Sequence, residues 1–426
     1  MSTFDDILPH VVRVLNARRA EVEPLAWLLI NRDLNGRVRL IAPDALSMAE
    51  RERLTALYRD LAAAIAPHAF SEEAGILYEP SSDLACQGVT AYPLAGFMNV
   101  RFVDRLASES RWESIASVAQ GVPRVVFFSI KGGVGRSTAL GASAWALARQ
   151  GKRVLVLDLD LESPGLSSAL LPHDRQPKYG ITDWLVEDLV DNGDALLEDL
   201  YGTSDLPVAG QIYLVPAHGL EPGEYVSKLG RVWMPKVDAT LRHEVWSSRL
   251  NRLLGQLEER LRPDVILIDS RAGIDEVAAA CVTELGVHTV MMFATQGRQT
   301  WTGYQALFAH WQRCGVITDI RERLQLVAGL VPDDGRQEYF NALRADAYAL
   351  FEESYDEVGP GEIGGWSFEE DDEHAPHSPL SIRWNRGWYG LLSLQGRLAQ
   401  IDERDVTLVY GPLLEFLDRA LMQEEQ

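Results

Sequence analysis

The rhythm of apolar and polar positions changes near residue 123. Before that point two largely apolar runs, 25–30 and 38–41, are separated by a turn holding Asn35 and Gly36, which predicts a β-hairpin. Ser47 is followed three residues later by Glu50, a capping box. Leu54, Leu57, Tyr58 and Leu61 then keep helical spacing, so a helix is expected from Ser47 onward. A short strand is expected at 75–78. After a Ser- and Pro-containing stretch, 100–115 reads as mostly helical, with Arg101, Arg105, Arg111 and Trp112 interleaved with Asp104, Glu109 and Glu113 as a charged face. Together these elements predict a smaller α+β accessory domain over residues 1–121.

From Pro123 onward, strands alternate with helices. A strand at 125–129, a helix at 136–150 closed by Gly151 and a strand at 153–158 form a βαβ unit. Further β-branched, apolar runs at 212–215, 265–269, 289–294 and 324–331 continue the pattern. The fold class expected for 122–426 is therefore α/β, a mostly parallel sheet with helices on both faces. Residues of about 335–375 are richer in Gly and acid and end in Glu369, Glu370, Asp371, Asp372 and Glu373. They read as an acidic, solvated insertion, with His374 and His377 as exposed loop residues. The final helix, with Leu413, Leu414, Phe416, Leu417 and Leu421, is expected to pack on this domain rather than on a membrane, because Glu415, Asp418, Glu424 and Glu425 dominate its polar side.

Composition narrows the function. The chain has 426 residues, 46% of them hydrophobic, with 40 Lys and Arg against 62 Asp and Glu, a formal net charge of -22. That balance repels phosphodiester backbones and anionic lipid, so nonspecific nucleic-acid or membrane binding is disfavoured. Cys86, Cys281 and Cys314 are far apart and form no CxxC pair, which argues against a disulfide framework, a zinc site or an iron–sulfur cluster. With no apolar run behind a basic start, a cytoplasmic location is expected.

The richest chemistry lies in Ser129-Ile-Lys-Gly-Gly-Val-Gly-Arg-Ser-Thr138, between an expected strand and an expected helix. A triphosphate needs many donors in a small volume. Gly132, Gly133 and Gly135, with Val134 between them, let backbone N–H groups turn inward, and the helix opening near Arg136 adds the positive end of its dipole. Ser137 offers a hydroxyl to Mg2+ and Thr138 one more donor, while Lys131 and Arg136 bring positive charge. ATP and Mg2+ are the cofactors this predicts. Downstream, the apolar strand that ends in Asp269 reads as a Walker B strand whose carboxylate binds Mg2+ through water, followed by Ser270-Arg-Ala-Gly273 as a segment able to report the γ-phosphate.

The loop resembles the deviant Walker A, KGGxGK[ST], of the ParA/MinD group of P-loop ATPases, over about 124–332 and more weakly beyond 378. Here the motif reads KGGVGRST, a variant with Arg136 in place of the second lysine. The resemblance implies that Lys131 is a signature lysine reaching the nucleotide of a partner subunit in an ATP-sandwiched homodimer. It implies too that Asp160 orients the attacking water, that Asp158 stands nearer the metal shell, and that the base pocket lies at Pro332 and Asp333. The metal set is then Ser137, Asp158, Asp160 and Asp269, with Lys131 and Asp160 catalytic. A guanidinium is larger than an ammonium and planar, so hydrolysis is less firmly implied than binding. An ATP- and Mg2+-dependent dimerising switch with slow hydrolysis follows, acting on a protein partner through residues 1–121. Two alternatives stay open: a non-hydrolysing nucleotide-bound scaffold of a larger, defence-type complex, and a DNA-positioning ATPase.

Overall fold

A computed structural model describes residues 2–86, 89–105, 111–237, 242–357, 365–388 and 394–424. The chain divides into two compact units, residues 1–109 with 313–315, and residues 110–312 with 316–426.

In the first unit, α1 (Ile7–Ala17) and α2 (Met48–Ile65) accompany five strands: β1 (Leu28–Arg32), β2 (Val38–Pro43), β3 (Ile76–Glu79), β4 (Ala91–Pro93) and β5 (Val100–Asp104). They form one sheet in the order β3-β2-β1-β5-β4. β1 and β2 are the expected antiparallel hairpin, and Ser47 caps α2 reciprocally with Glu50. The helix expected over 100–115 is not there: Val100 to Asp104 are strand, paired in parallel with β1. The interleaved charges resemble a helix face, but Val100, Phe102 and Val103 are buried while Arg101 faces out, the mark of a strand paired on both sides. Residues 106–110 of that stretch lie outside the described residues.

The second unit begins before the change of rhythm at 123. Trp112 is buried in its core, and the Ala116 and Ala119 amides donate to the carbonyls of Thr283 and Gly286 at 2.8 Å each. The strands are β6 (Arg124–Ser129), β7 (Arg153–Asp158), β8 (Gly202–Thr203), β9 (Gln211–Val215), β10 (Val265–Ala272), β11 (Thr289–Ala294), β12 (Leu324–Val331) and β13 (Leu380–Arg383). Their order is β13-β12-β11-β6-β10-β7-β9-β8, parallel throughout except the β8–β9 pair. Both faces are covered, as an all-apolar strand requires. Val126 and Phe128 of β6 enter one core, while Val125 and Phe127 enter the other.

Helix α3 (Arg136–Arg149) carries little amphipathic signal because it is buried on several sides. A Cβ on Gly141 would meet Leu394 Cδ2 at 2.7 Å, so small residues there let a neighbouring segment approach. Two more helices complete the relevant frame. α4 (Arg336–Phe351) occupies much of the stretch expected to be a solvated loop, and α5 (Glu403–Glu424) follows later in the chain. α4 is folded because Leu343, Ala347, Leu350 and Phe351 recur at helical spacing and are buried in the core. The acidic composition conceals this face. His377, expected to be exposed, is fully buried; it pairs with the Tyr355 hydroxyl and its Nε2 lies 3.2 Å from the Glu370 carbonyl. Residues 358–364 of the insertion lie outside the described residues. α5 buries Leu413, Leu417 and Leu421 in the core, as its sequence suggests. Among the described residues no helix is long and apolar enough to cross a membrane.

Candidate functional site

Parallel strands place their carboxyl ends on one edge, and the site forms there. β6 is central. It ends in Ser129, β7 ends in Asp158, and Asp269 of β10 sits in register with both Phe127 and Asp158. The chain leaving β6 turns through the glycine-rich loop into α3. Gly133 and Gly135 have φ of 75° and 85°, a left-handed conformation that favours glycine. Among the described residues, no amide from Lys131 to Thr138 donates a backbone hydrogen bond, whereas Ala139 already bonds to the Gly135 carbonyl at 2.9 Å. The loop from Gly132 to Thr138 lines a cavity of about 490 Å3 together with Ser129, Asp160, Ser163, Arg271 and Ala272.

β12 helps to set the loop. A Cβ on Gly329 would stand 2.6 Å from the Val134 carbonyl oxygen, so only glycine lets the strand pass so close. The next residue, Leu330, has φ of 54° within the register shift between Ala328 and Val331. These backbone features left no pattern in the sequence, where 324–331 reads as an ordinary buried strand.

Arg136 does not reach into open solvent. It is 7% exposed, and its Nε donates to Asp269 Oδ1 at 2.7 Å, Nη1 to Ser129 Oγ at 3.2 Å and Nη2 to Asp160 Oδ2 at 3.2 Å. The neighbouring carboxylates raise its pKa against the opposing cost of burial. Asp269 is 1% exposed, so the pair is fully desolvated.

The other two acids differ. Asp158 has no solvent exposure, and its oxygens accept the amides of Asp160 at 3.2 Å and Leu166 at 3.1 Å. Burial pushes its pKa up to about 7, with the Asp269 charge adding to the effect. It therefore organises the turn after β7 and does not line the cavity. Asp160 is half-buried and lines it; burial raises its pKa while Arg136 pulls it down.

Lys131 is exposed, lies outside the cavity lining and makes no ion pair among the described residues. Ser137 and Thr138 line the cavity. Pro332 and Asp333 do not; Asp333 is exposed and accepts from Arg336 at 2.7 Å. On the other side of the loop a cavity of about 200 Å3 is bounded by Thr138, Leu330, Arg383, Trp384, Asn385 and Trp388. Sequence reading missed this group, although two tryptophans and an asparagine directly after a short strand were the available signal. Arg271 belongs to the Ser270–Gly273 segment expected to report the γ-phosphate. That side chain lines the main cavity while pairing with Glu162 at 2.6 Å and Asp275 at 3.0 Å.

A loop of free amides at the carboxyl edge of a parallel sheet, opening a helix, is the frame of a phosphate-binding fold, and residues 125–405 match the model of the CobQ/CobB/MinD/ParA nucleotide binding domain. The chain belongs to this family. Its fold is that of the ParA/MinD-type P-loop proteins. Solved structures similar to it include pNOB8 ParA bound to nonspecific DNA, at 16% identity over 71% of this chain and 98% of that one, with a TM-score of 0.44. Another is the cell division ATPase MinD of Pyrococcus furiosus, at 19% identity over 70% and 98%, with a TM-score of 0.43. MinD of Pyrococcus horikoshii OT3, complexed with Mg-ADP, is 21% identical over 51% of this chain and 73% of that one, with a TM-score of 0.35. No curated protein sequence matches the chain. At these scores the assignment rests on the family match.

Proposed function

We propose that this ParA/MinD-type domain is a nucleotide-dependent two-state protein. ATP occupies the loop from Lys131 to Thr138, two copies join while it is bound, and slow hydrolysis separates them. The observation that carries this reading is the row of amides from Gly132 to Thr138, without backbone acceptors among the described residues, in the loop that lines a cavity of about 490 Å3. In such a row the N–H groups and the helix dipole stabilise an oxyanion cluster without any rearrangement. The cavity bounded by Trp384, Asn385 and Trp388 supports a base subsite that stacks and hydrogen-bonds a purine, in place of Pro332 and Asp333.

The donors expected for magnesium were Ser137, Asp158, Asp160 and Asp269. The Ser137 hydroxyl fits that role. The carboxylates do not: Asp269 and Asp160 are held by Arg136, and Asp158 is turned onto backbone amides. Among the described residues no group of three or more His, Cys, Asp or Glu is arranged to hold a metal. Asp160 is the carboxylate lining the cavity and the candidate to orient water. Its engagement with Arg136 favours slow turnover, and a purely nucleotide-bound scaffold is the second reading that the same contact supports.

Lys131, exposed and outside its own cavity, is free to brace a second copy's nucleotide. The first unit, residues 1–109 with 313–315, is the proposed partner-reading part. Light scattering on the size-separated protein, with and without ATP plus magnesium, tests the switch. Expected is a dimer only with ATP for wild type and a monomer throughout for Lys131→Ala. A wild-type monomer in every condition removes the switch.

A further inference from the structure

We propose that the Arg136 guanidinium is a built-in cation of this site, standing on the carboxylates a divalent ion would use, so that the loop accepts a nucleoside triphosphate without metal. This rests on the nucleotide-binding reading above and concerns what neutralises the ligand.

Three observations lead to it. First, Arg136 spans acceptors on three separate elements: Asp269 within β10, Ser129 at the end of β6 and Asp160 after β7. A planar fork with separately aimed N–H groups can do this, and a lysine ammonium, a compact point charge, cannot hold all three in the same way. Secondly, Asp269 is only 1% exposed and its Oδ1 receives Arg136 Nε at 2.7 Å. Magnesium demands near-octahedral oxygen ligands at about 2.0–2.1 Å. An ion on that carboxylate would lie against a buried guanidinium of the same sign, in a region where little water screens them. Thirdly, Asp158, which would otherwise complete a carboxylate set, is fully buried with both oxygens on amides.

Charge at the cavity follows the same arrangement. Without Arg136, Asp160 and Asp269 would oppose a polyanion with two charges; with it, one of the two is met internally before the ligand arrives. Arg271 on the cavity wall, its side chain 32% exposed, supplies a second guanidinium, shared with Glu162 and Asp275. The competing arrangement has Arg136 swing to the phosphates on binding. That would strand Asp269 in the interior unless a divalent ion took the guanidinium's place, so it makes metal obligatory. The two arrangements thus differ in one measurable property.

The test is the affinity of the non-hydrolysable analogue AMPPNP for the whole chain, by calorimetry, in excess EDTA and in excess Mg2+. Expected for wild type are dissociation constants within about threefold of each other. Arg136→Lys, checked for a native melting transition, is expected to bind at least about tenfold more tightly with Mg2+ than with EDTA. The wild-type pair of titrations decides the matter even where the variant does not fold. Wild-type binding at least about tenfold tighter with Mg2+ overturns the proposal and leaves the nucleotide site standing. Binding in neither condition overturns both.

Discussion

At the scale of single residues, the site is held by one desolvated cation and its acids. Removing Arg136 as alanine leaves Asp269 buried without a partner, a change that costs about 3–5 kcal/mol in comparable buried pairs. Chemical unfolding of Arg136→Ala is expected to show a loss of that size, with Arg136→Lys losing less because it keeps the charge. Asp158 adds a pH signature. Its folded pKa of about 7 lies above the unfolded value, so the folded chain holds this proton where the unfolded chain has released it. The resulting stability is fully present below the unfolded value and is lost as pH rises through about 7. Asparagine at 158 cannot titrate. Melting temperatures of the nucleotide-free proteins should therefore shift in favour of Asp158→Asn as pH rises from acid to alkaline; a constant difference would contradict the assigned burial. The roles of these residues were only partly legible. Spacing identified Arg136, Asp158, Asp160 and Asp269 as a group, because strand ends on one edge of a parallel sheet must converge. Which acid faces the cavity and which faces the backbone depends on turn geometry that no spacing encodes.

Among the elements, the strand–loop–helix run from β6 to α3 was legible, since apolar β-branched strands, clustered glycines and the helix opening agree with one another. The support under the loop was not. Gly329 in β12 is required by a 2.6 Å approach to the Val134 carbonyl. Gly329→Ala should displace the loop and weaken nucleotide binding by at least about tenfold, or ~1.4 kcal/mol, measurable by calorimetry. Unchanged affinity would mean that the strand can retreat instead. α4 was hidden by its acidic surroundings, and β5 by arginines that mimicked a helix face. In the case of α4 the buried side is now explicit: Leu343 is fully buried, and Leu343→Ala is expected to cost about 2–5 kcal/mol in equilibrium unfolding. A loss below that range would show that the helix contributes little to the core.

For the whole molecule, the family and the α/β class followed from the alternation of elements and one loop, because topology of this kind leaves few choices. The accessory unit is different: its five-stranded sheet has a hairpin signature but carries no chemistry that names a partner. All of this depends on the loop receiving a triphosphate. The direct measurement is calorimetric titration of ATP into wild type and Gly132→Asp, a substitution that sets a carboxylate on the cavity lining at a position where an added Cβ meets nothing within 4 Å. Expected is one ATP per wild-type chain and at least about a hundredfold weaker binding by the variant. ATP bound equally by both, or by neither, would contradict it.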